Sequence, residues 1–185
     1  MGKRAIDVDI LMVPGWKNSG PEHWQSRWEQ RLSTARRVEQ PDWMRPNRDI
    51  WVGNILKAID AARQPVVLVA HSLGVIACLH ALPKAKKGDV IGAFLVAPIG
   101  ETVIETEEAI DHDFLPIPRK KLEIPSVVVA SHDDPYAPFL TSEELAYGWG
   151  AELLDAGHAG HINTASGYGP WPEGLMKFAG FLAKL

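Results

Sequence analysis

The stretch Pro65-Val66-Val67-Leu68-Val69-Ala70-His71-Ser72-Leu73-Gly74-Val75-Ile76-Ala77-Cys78-Leu79 decides how this chain is read. Pro65–Ala70 is an apolar run without polar alternation, as expected of a strand covered on both faces. It runs into a serine, and an apolar helix is predicted over Leu73–Leu82. A sharp strand-to-helix turn leaves little room beside the serine backbone, so small residues are needed two positions before and after it. Ala70 and Gly74 meet that need, with Ala70 standing where glycine is usual. Such a turn lifts Ser72 above the C-terminal edge of a sheet, where ligands bind in open α/β folds, and aims the positive end of the helix dipole at the same spot. Ser72 is therefore read as a nucleophile. A plain helix cap is the alternative for a lone serine, and the strand–turn–helix setting is what weighs against it. His71, its neighbour, is expected to point elsewhere and to be structural.

Outward from this motif, short apolar runs alternate with helix-length segments. Strands are predicted near Val8–Val13, Ala35–Glu39, Pro65–Ala70, Val90–Ala97, Ser126–Ser131 and Glu152–Asp155. Helices are predicted near Pro21–Leu32, Arg48–Arg63, Leu73–Leu82, Thr141–Tyr147 and Pro172–Lys184. This alternation, with right-handed crossovers, predicts an α/β fold: one six-stranded parallel sheet in the order 2-1-3-4-5-6 with helices on both faces. Ile50, Ile55, Leu56 and Ile59 are read as the packing face of the second helix, and Trp24 and Trp28 as packing residues of the first. The acidic stretch Glu101–Asp113 reads as a solvated loop or mobile cap segment.

Composition narrows the function classes. The 185 residues fit one domain, and a 46% hydrophobic share suffices for a core. A net charge of −4 without a long basic run argues against nucleic acid or an anionic membrane as main partner. Cys78 is the only cysteine, which rules out an intrachain disulfide and a Cys-rich zinc site; on its apolar helix it is expected to be buried and inert. Asp7 and Asp9 interrupt what a secretory signal would need to be apolar, and Ile6 stands where acylation at Gly2 expects Ser or Thr. A cytoplasmic location is the expectation. Neither Asp155, His158 and His161 nor Asp111-His112-Asp113 matches a known metal-ligand spacing, and no cofactor is expected.

A serine needs a base to take its proton and a third group to orient that base. In α/β-hydrolases these follow in the order Ser, acid, His. Ser126–Ser131 leads into His132-Asp133-Asp134-Pro135-Tyr136. Asp134 is chosen as the acid, since Asp-Pro-x-x-Pro stiffens the loop beyond the strand; Asp133 is left to cap the turn. Glu152–Asp155 leads into Ala156-Gly157-His158-Ala159-Gly160-His161-Ile162-Asn163. The pattern favours a histidine here as base without deciding between His158 and His161. For the oxyanion hole, the backbone N–H of Leu73 is one donor. The second is expected from Val13-Pro14-Gly15-Trp16, where Gly15 lets the backbone pass close to substrate and Trp16 supplies its N–H.

Pro14-Gly15-Trp16, Ala70-His71-Ser72-Leu73-Gly74, Asp133-Asp134-Pro135-Tyr136 and Gly160-His161-Ile162-Asn163 together resemble the small serine-hydrolase family of retinoblastoma-binding protein 9 and bacterial YdeN. The segment Ser166–Gly174 resembles the bacterial members, and the likeness runs nearly end to end. The resemblance implies a compact α/β-hydrolase without a large lid, with Asp134 as acid, His161 as base and an ester or amide-like substrate. Geometry agrees on the base: His161 has three more residues than His158 in which the chain can turn back, and Gly157 and Gly160 ease the turn. Trp171 is expected to wall the pocket. No Leu-x-Cys-x-Glu segment of the type that binds retinoblastoma protein is present in the sequence, so that partner is not carried over.

The expected function is a serine hydrolase acting on a small acyl substrate through Ser72, His161 and Asp134. A binding module that retains the pocket with little turnover is the alternative. Dehalogenases and epoxide hydrolases of this fold need a carboxylate where Ser72 stands. The sequence does not address oligomeric state.

Overall fold

The computed structural model describes residues 7–185. Met1–Ile6, on which the reading of the N-terminal segment partly rests, lie outside the described residues. Six strands, β1 (Asp9–Val13), β2 (Ala35–Arg37), β3 (Val66–His71), β4 (Val90–Val96), β5 (Ser126–Ala130) and β6 (Glu152–Asp155), form one sheet in the order β2-β1-β3-β4-β5-β6. Every pairing is parallel. The predicted fold class and strand order are thus met. The helices are α1 (Trp24–Arg31), α2 (Arg48–Asp60), α3 (Leu73–Ala81), α4 (Glu101–Thr106), α5 (Phe139–Trp149) and α6 (Pro172–Leu182).

Alternate side chains of the central strands serve opposite faces. Leu11, Val13, Leu68, Ala70 and Leu95 join Trp51, Ile55, Ile76 and Trp149 on one side. Ile10, Met12, Val67, Val69, Phe94 and Val96 join Trp24, Trp28, Phe178 and Phe181 on the other. Both faces of β3 are buried, which is why its sequence shows no alternation. Helix α3 is buried at every position but His80, so its residues are apolar all round.

Two packing expectations need correction. Ile50 is not on the packing face of α2: it is 50% exposed, in the first turn above the Asn47 cap. Trp51, Val52, Ile55 and Ile59 face inward, an i, i+1, i+4, i+8 stripe that follows the helical repeat. The acidic stretch is not simply a solvated loop either. It forms α4 and a turn at His112–Phe114, with Ile104, Ile110 and Phe114 buried in the core. Its acids mark an exposed face, and the apolar residues between them anchor the segment across the C-terminal end of the sheet.

Candidate active site

The turn between β3 and α3 puts Ser72 at φ 58°, ψ −128°, a conformation that L-residues seldom adopt and that persists only when the surroundings enforce it. Two close approaches do so. A Cβ on Gly74 would lie 2.4 Å from the Val13 carbonyl oxygen and 2.5 Å from that of Pro14. A Cβ on Gly15 would lie 2.7 Å from Ser72 Cβ and 3.2 Å from the Leu73 nitrogen. The loop after β1 is therefore pressed directly onto the serine turn. The Ser72 N–H donates to the Val96 carbonyl at 3.0 Å, which ties the turn to β4.

His161 Nε2 lies 2.9 Å from Ser72 Oγ. Its Nδ1 lies 2.9 and 3.0 Å from the two carboxylate oxygens of Asp134. A carboxylate only accepts, so Nδ1 carries the proton and Nε2 presents its lone pair to the serine hydroxyl. The side chains of His161 and Asp134 are 7% and 4% exposed, which keeps water from competing for these bonds. The ring of Tyr136 packs 4.4 Å from that of His161, and its backbone N–H donates to Asp134 Oδ1 at 2.9 Å.

The loop that carries His161 is held from several directions. Asp133 Oδ1 accepts the Ser131 hydroxyl at 2.7 Å and the Gly160 N–H at 2.8 Å. These bonds, that from Ser131 foremost, hold its carboxyl below the usual range. Ser131 Oγ accepts the Ala159 N–H at 2.8 Å, and Asn163 Oδ1 accepts the Ser166 N–H at 3.0 Å. The indole N–H of Trp24 donates to the Ile162 carbonyl at 2.9 Å, so this core residue also fixes the loop. His158 is exposed, with its ring 5.7 Å from that of His132.

His71 is structural, as expected, but it stays beside the site. Its Nε2 bonds to the His161 carbonyl at 2.8 Å, and its ring lies 4.8 Å from that of His161. Burial, then the nearby imidazoles, keep its pKa well below the ordinary value. His71 is thus a neutral strut under the histidine loop.

A cavity of about 250 Å³ opens over Ser72. Ile99, Val103 and Ile110, from the segment after β4, give it apolar wall, and His23, His71 and Asn163 give it polar wall. Trp16 borders it, half-buried, with its indole N–H bound to the Met44 carbonyl at 3.0 Å. Leu73 is fully buried, and its backbone N–H belongs to the first helical turn, whose donors lack intrahelical partners. Trp171 does not line the cavity, which corrects its expected place. It is 5% exposed and packs in the opposite core, 5.1 Å from the Trp24 ring and stacked 5.7 Å from Trp28. Gly174 leaves room for it, since a Cβ there would meet the indole at 2.2 Å.

Of the residues singled out in sequence, the structure brings Ser72, His161, Asp134, Gly15, Trp16 and Leu73 together and leaves Trp171 out. Sequence reasoning missed His23 and Tyr136. Tyr136 lies two residues past the chosen aspartate, but nothing in the spacing around His23 marks it as a cavity residue.

The sequence model of the serine hydrolase family matches residues 10–180. The chain is 25% identical over 175 residues to YdeN of Bacillus subtilis (strain 168), covering 88% of this chain and 90% of that one. A crystal structure of a YdeN-like protein from Pectobacterium atrosepticum superposes with a TM-score of 0.83 at 36% identity, over 95% of this chain and 90% of that one. Est1E of Butyrivibrio proteoclasticus, solved with ferulic acid bound, shares the fold at a TM-score of 0.69 and 12% identity, over 94% and 89% of the two chains.

Proposed function

Because this chain belongs to the serine hydrolase family, we propose that it cleaves a small carboxylic ester or related acyl bond, with Ser72 as nucleophile, His161 as base and Asp134 as the group that orients it. The observation that carries this reading is the continuous contact from Asp134 through both nitrogens of His161 to Ser72 Oγ.

In this mechanism His161 Nε2 takes the hydroxyl proton as Ser72 Oγ bonds to the substrate carbonyl carbon. The carbonyl π electrons move onto oxygen, and the N–H groups of Leu73 and Trp16 stabilise the resulting oxyanion. Asp134 stabilises the imidazolium without itself taking the proton. The imidazolium then protonates the leaving oxygen, which departs and leaves an acyl-enzyme. Water, deprotonated by the same nitrogen, repeats the sequence to release the acid. Each half-reaction returns His161 to neutrality.

The cavity, at about 250 Å³, falls below the roughly 300–1,000 Å³ of pockets that take drug-sized ligands. A short acyl group suits it. Among the described residues no helix is long and apolar enough to cross a membrane; a cytoplasmic location is part of the proposal, tested by cell fractionation. The activity is tested with a fluorophosphonate probe and a series of p-nitrophenyl esters. Labelling at Ser72 and turnover that falls with acyl length are the expected results. An unlabelled protein inert on every ester overturns the reading.

A further inference from the structure

His23 caps the N-terminus of helix α1, and its two ring nitrogens meet different surroundings. Nδ1 accepts the Gln25 N–H at 3.1 Å and so caps the helix. Burial, followed by the nearby Arg37 guanidinium, lowers the pKa of this ring to about 3, so it is neutral. A neutral imidazole that accepts at Nδ1 carries its proton at Nε2. The Nε2–H is therefore a donor on the edge of the ring turned away from the cap.

That donor is buried and has no acceptor among the described residues. His23 as a whole is 4% exposed, yet it lines the same cavity as Ser72. Its ring ends a row: His161 to His71 at 4.8 Å, then His71 to His23 at 4.9 Å. His71 does not relieve it: its Nε2 is the donor to the His161 carbonyl, and its other nitrogen, the only acceptor the ring has, makes no bond to His23 Nε2. Buried donors are nearly always paired in folded proteins, and each one left over calls for an explanation; of the unpartnered His23 Nε2, Trp28 Nε1 and Arg48 Nε, only His23 belongs to a residue that lines the cavity over Ser72.

We propose that His23 determines substrate specificity: its Nε2–H donates to an uncharged oxygen of the substrate, an ether, carbonyl or hydroxyl in the acyl or alcohol part, apart from the scissile carbonyl. This deepens the hydrolase reading and rests on it. An uncharged oxygen fits because a neutral donor in a buried wall cannot repay the desolvation of a carboxylate. A site built to bond a substrate polar group rejects the analogue lacking it, since its own buried group is then left unpaired.

The test uses isosteric ester pairs in which an ether oxygen replaces a methylene: p-nitrophenyl methoxyacetate against butanoate, and the 2-methoxyethyl against the butyl ester of butanoic acid. An α-methoxy group activates the ester carbonyl by itself, so each kcat/KM is divided by that ester's own hydroxide-catalysed rate; on this scale the wild type is expected to favour the oxygenated member of at least one pair about tenfold. Two variants separate the ring's roles. His23→Asn keeps a capping acceptor but is too short to reach the cavity, and should lose the preference, read as the ratio of the two kcat/KM values within each pair. His23→Gln places an amide N–H near the position of Nε2 and should retain it. Melting temperatures of both variants identify any loss that comes from the cap. A wild type that hydrolyses both members of each pair equally on this scale, or a His23→Asn variant that keeps the preference, overturns the proposal alone. A wild type inert on every ester overturns the hydrolase reading and this proposal with it.

Discussion

His71 Nε2 donates to the main-chain carbonyl of His161 across 2.8 Å, linking positions 90 residues apart in sequence. Ser72, the next residue, meets the ring of that same histidine. Two consecutive residues of one turn therefore grip His161, one by its backbone and one by its imidazole. The strain at Ser72 is what allows this, since the turn sends the two side chains to different parts of one loop.

Ser72→Ala is expected to lower kcat on p-nitrophenyl acetate by about 10⁴-fold or more, the scale for removal of a triad member. The far-ultraviolet circular dichroism spectrum should not change. Wild-type turnover in this variant is the outcome that removes Ser72 from its role.

The two aspartates should separate in kinetics. Asp134→Asn leaves a partner of similar shape but disturbs the histidine tautomer, and should cost about 10⁴-fold in kcat. Asp133→Asn weakens only the bonds from Ser131 and Gly160 and should cost far less. His161→Ala should match Ser72→Ala, whereas His158→Ala, at an exposed position, should retain activity. Steady-state kinetics of the four variants decides it.

Glycine substitutions test the close approaches. Gly74→Ala forces a methyl to within 2.4 Å of the Val13 carbonyl oxygen and should destabilise by about 1–3 kcal/mol or more. Gly180→Ala, in α6 with nothing within 4 Å of the added carbon, should stabilise by about 0.5–1 kcal/mol. Urea unfolding measures both, and opposite signs are required.

Stability should fall on mild acidification. His23 binds a proton at about pH 6.5 when unfolded but only at about pH 3 when folded. Between these values the unfolded state holds more protons, so folding loses free energy as pH falls and is favoured fully above the upper value. The limiting slope is about 1.4 kcal/mol per pH unit for each such group. His71 adds in the same direction, as does His80, whose pKa is also lowered by burial. The stability difference between pH 7 and pH 5 should shrink in His23→Asn, and an unchanged difference would count against a neutral buried His23.

Cys78 is fully buried and its thiol pKa is pushed up by burial. The folded protein should resist iodoacetamide and react only in denaturant, as followed by intact mass. Rapid modification of the native protein would place the thiol elsewhere.

The sequence by itself determined what depends on local pattern. An unbroken apolar run is a doubly covered strand, so β3 and the α/β class were legible in Val66–Ala70. Steric room at a turn is a matter of residue size, so Ala70 and Gly74 announced the strained Ser72, and the order of motifs along the chain limited the acid and base to two short loops. Within those loops the sequence already favoured Asp134 and His161; only the tertiary structure shows the contacts that bring these members together. Gly160 is held by Asp133, and this turns His161 rather than His158 toward Ser72, a contact between chain segments that no local spacing encodes. The same holds for Trp171, whose ring lies in the core because Trp24, Trp28 and Gly174 shape a slot for it. It holds also for His23, a capping residue by position that reaches the cavity only because α1 packs at the C-terminal edge of the sheet, where Gln25 bonds the Val13 and Val69 carbonyls. Backbone preference is a property of a few neighbouring residues, whereas the direction in which a loop side chain points is set by whatever the folded chain packs around it.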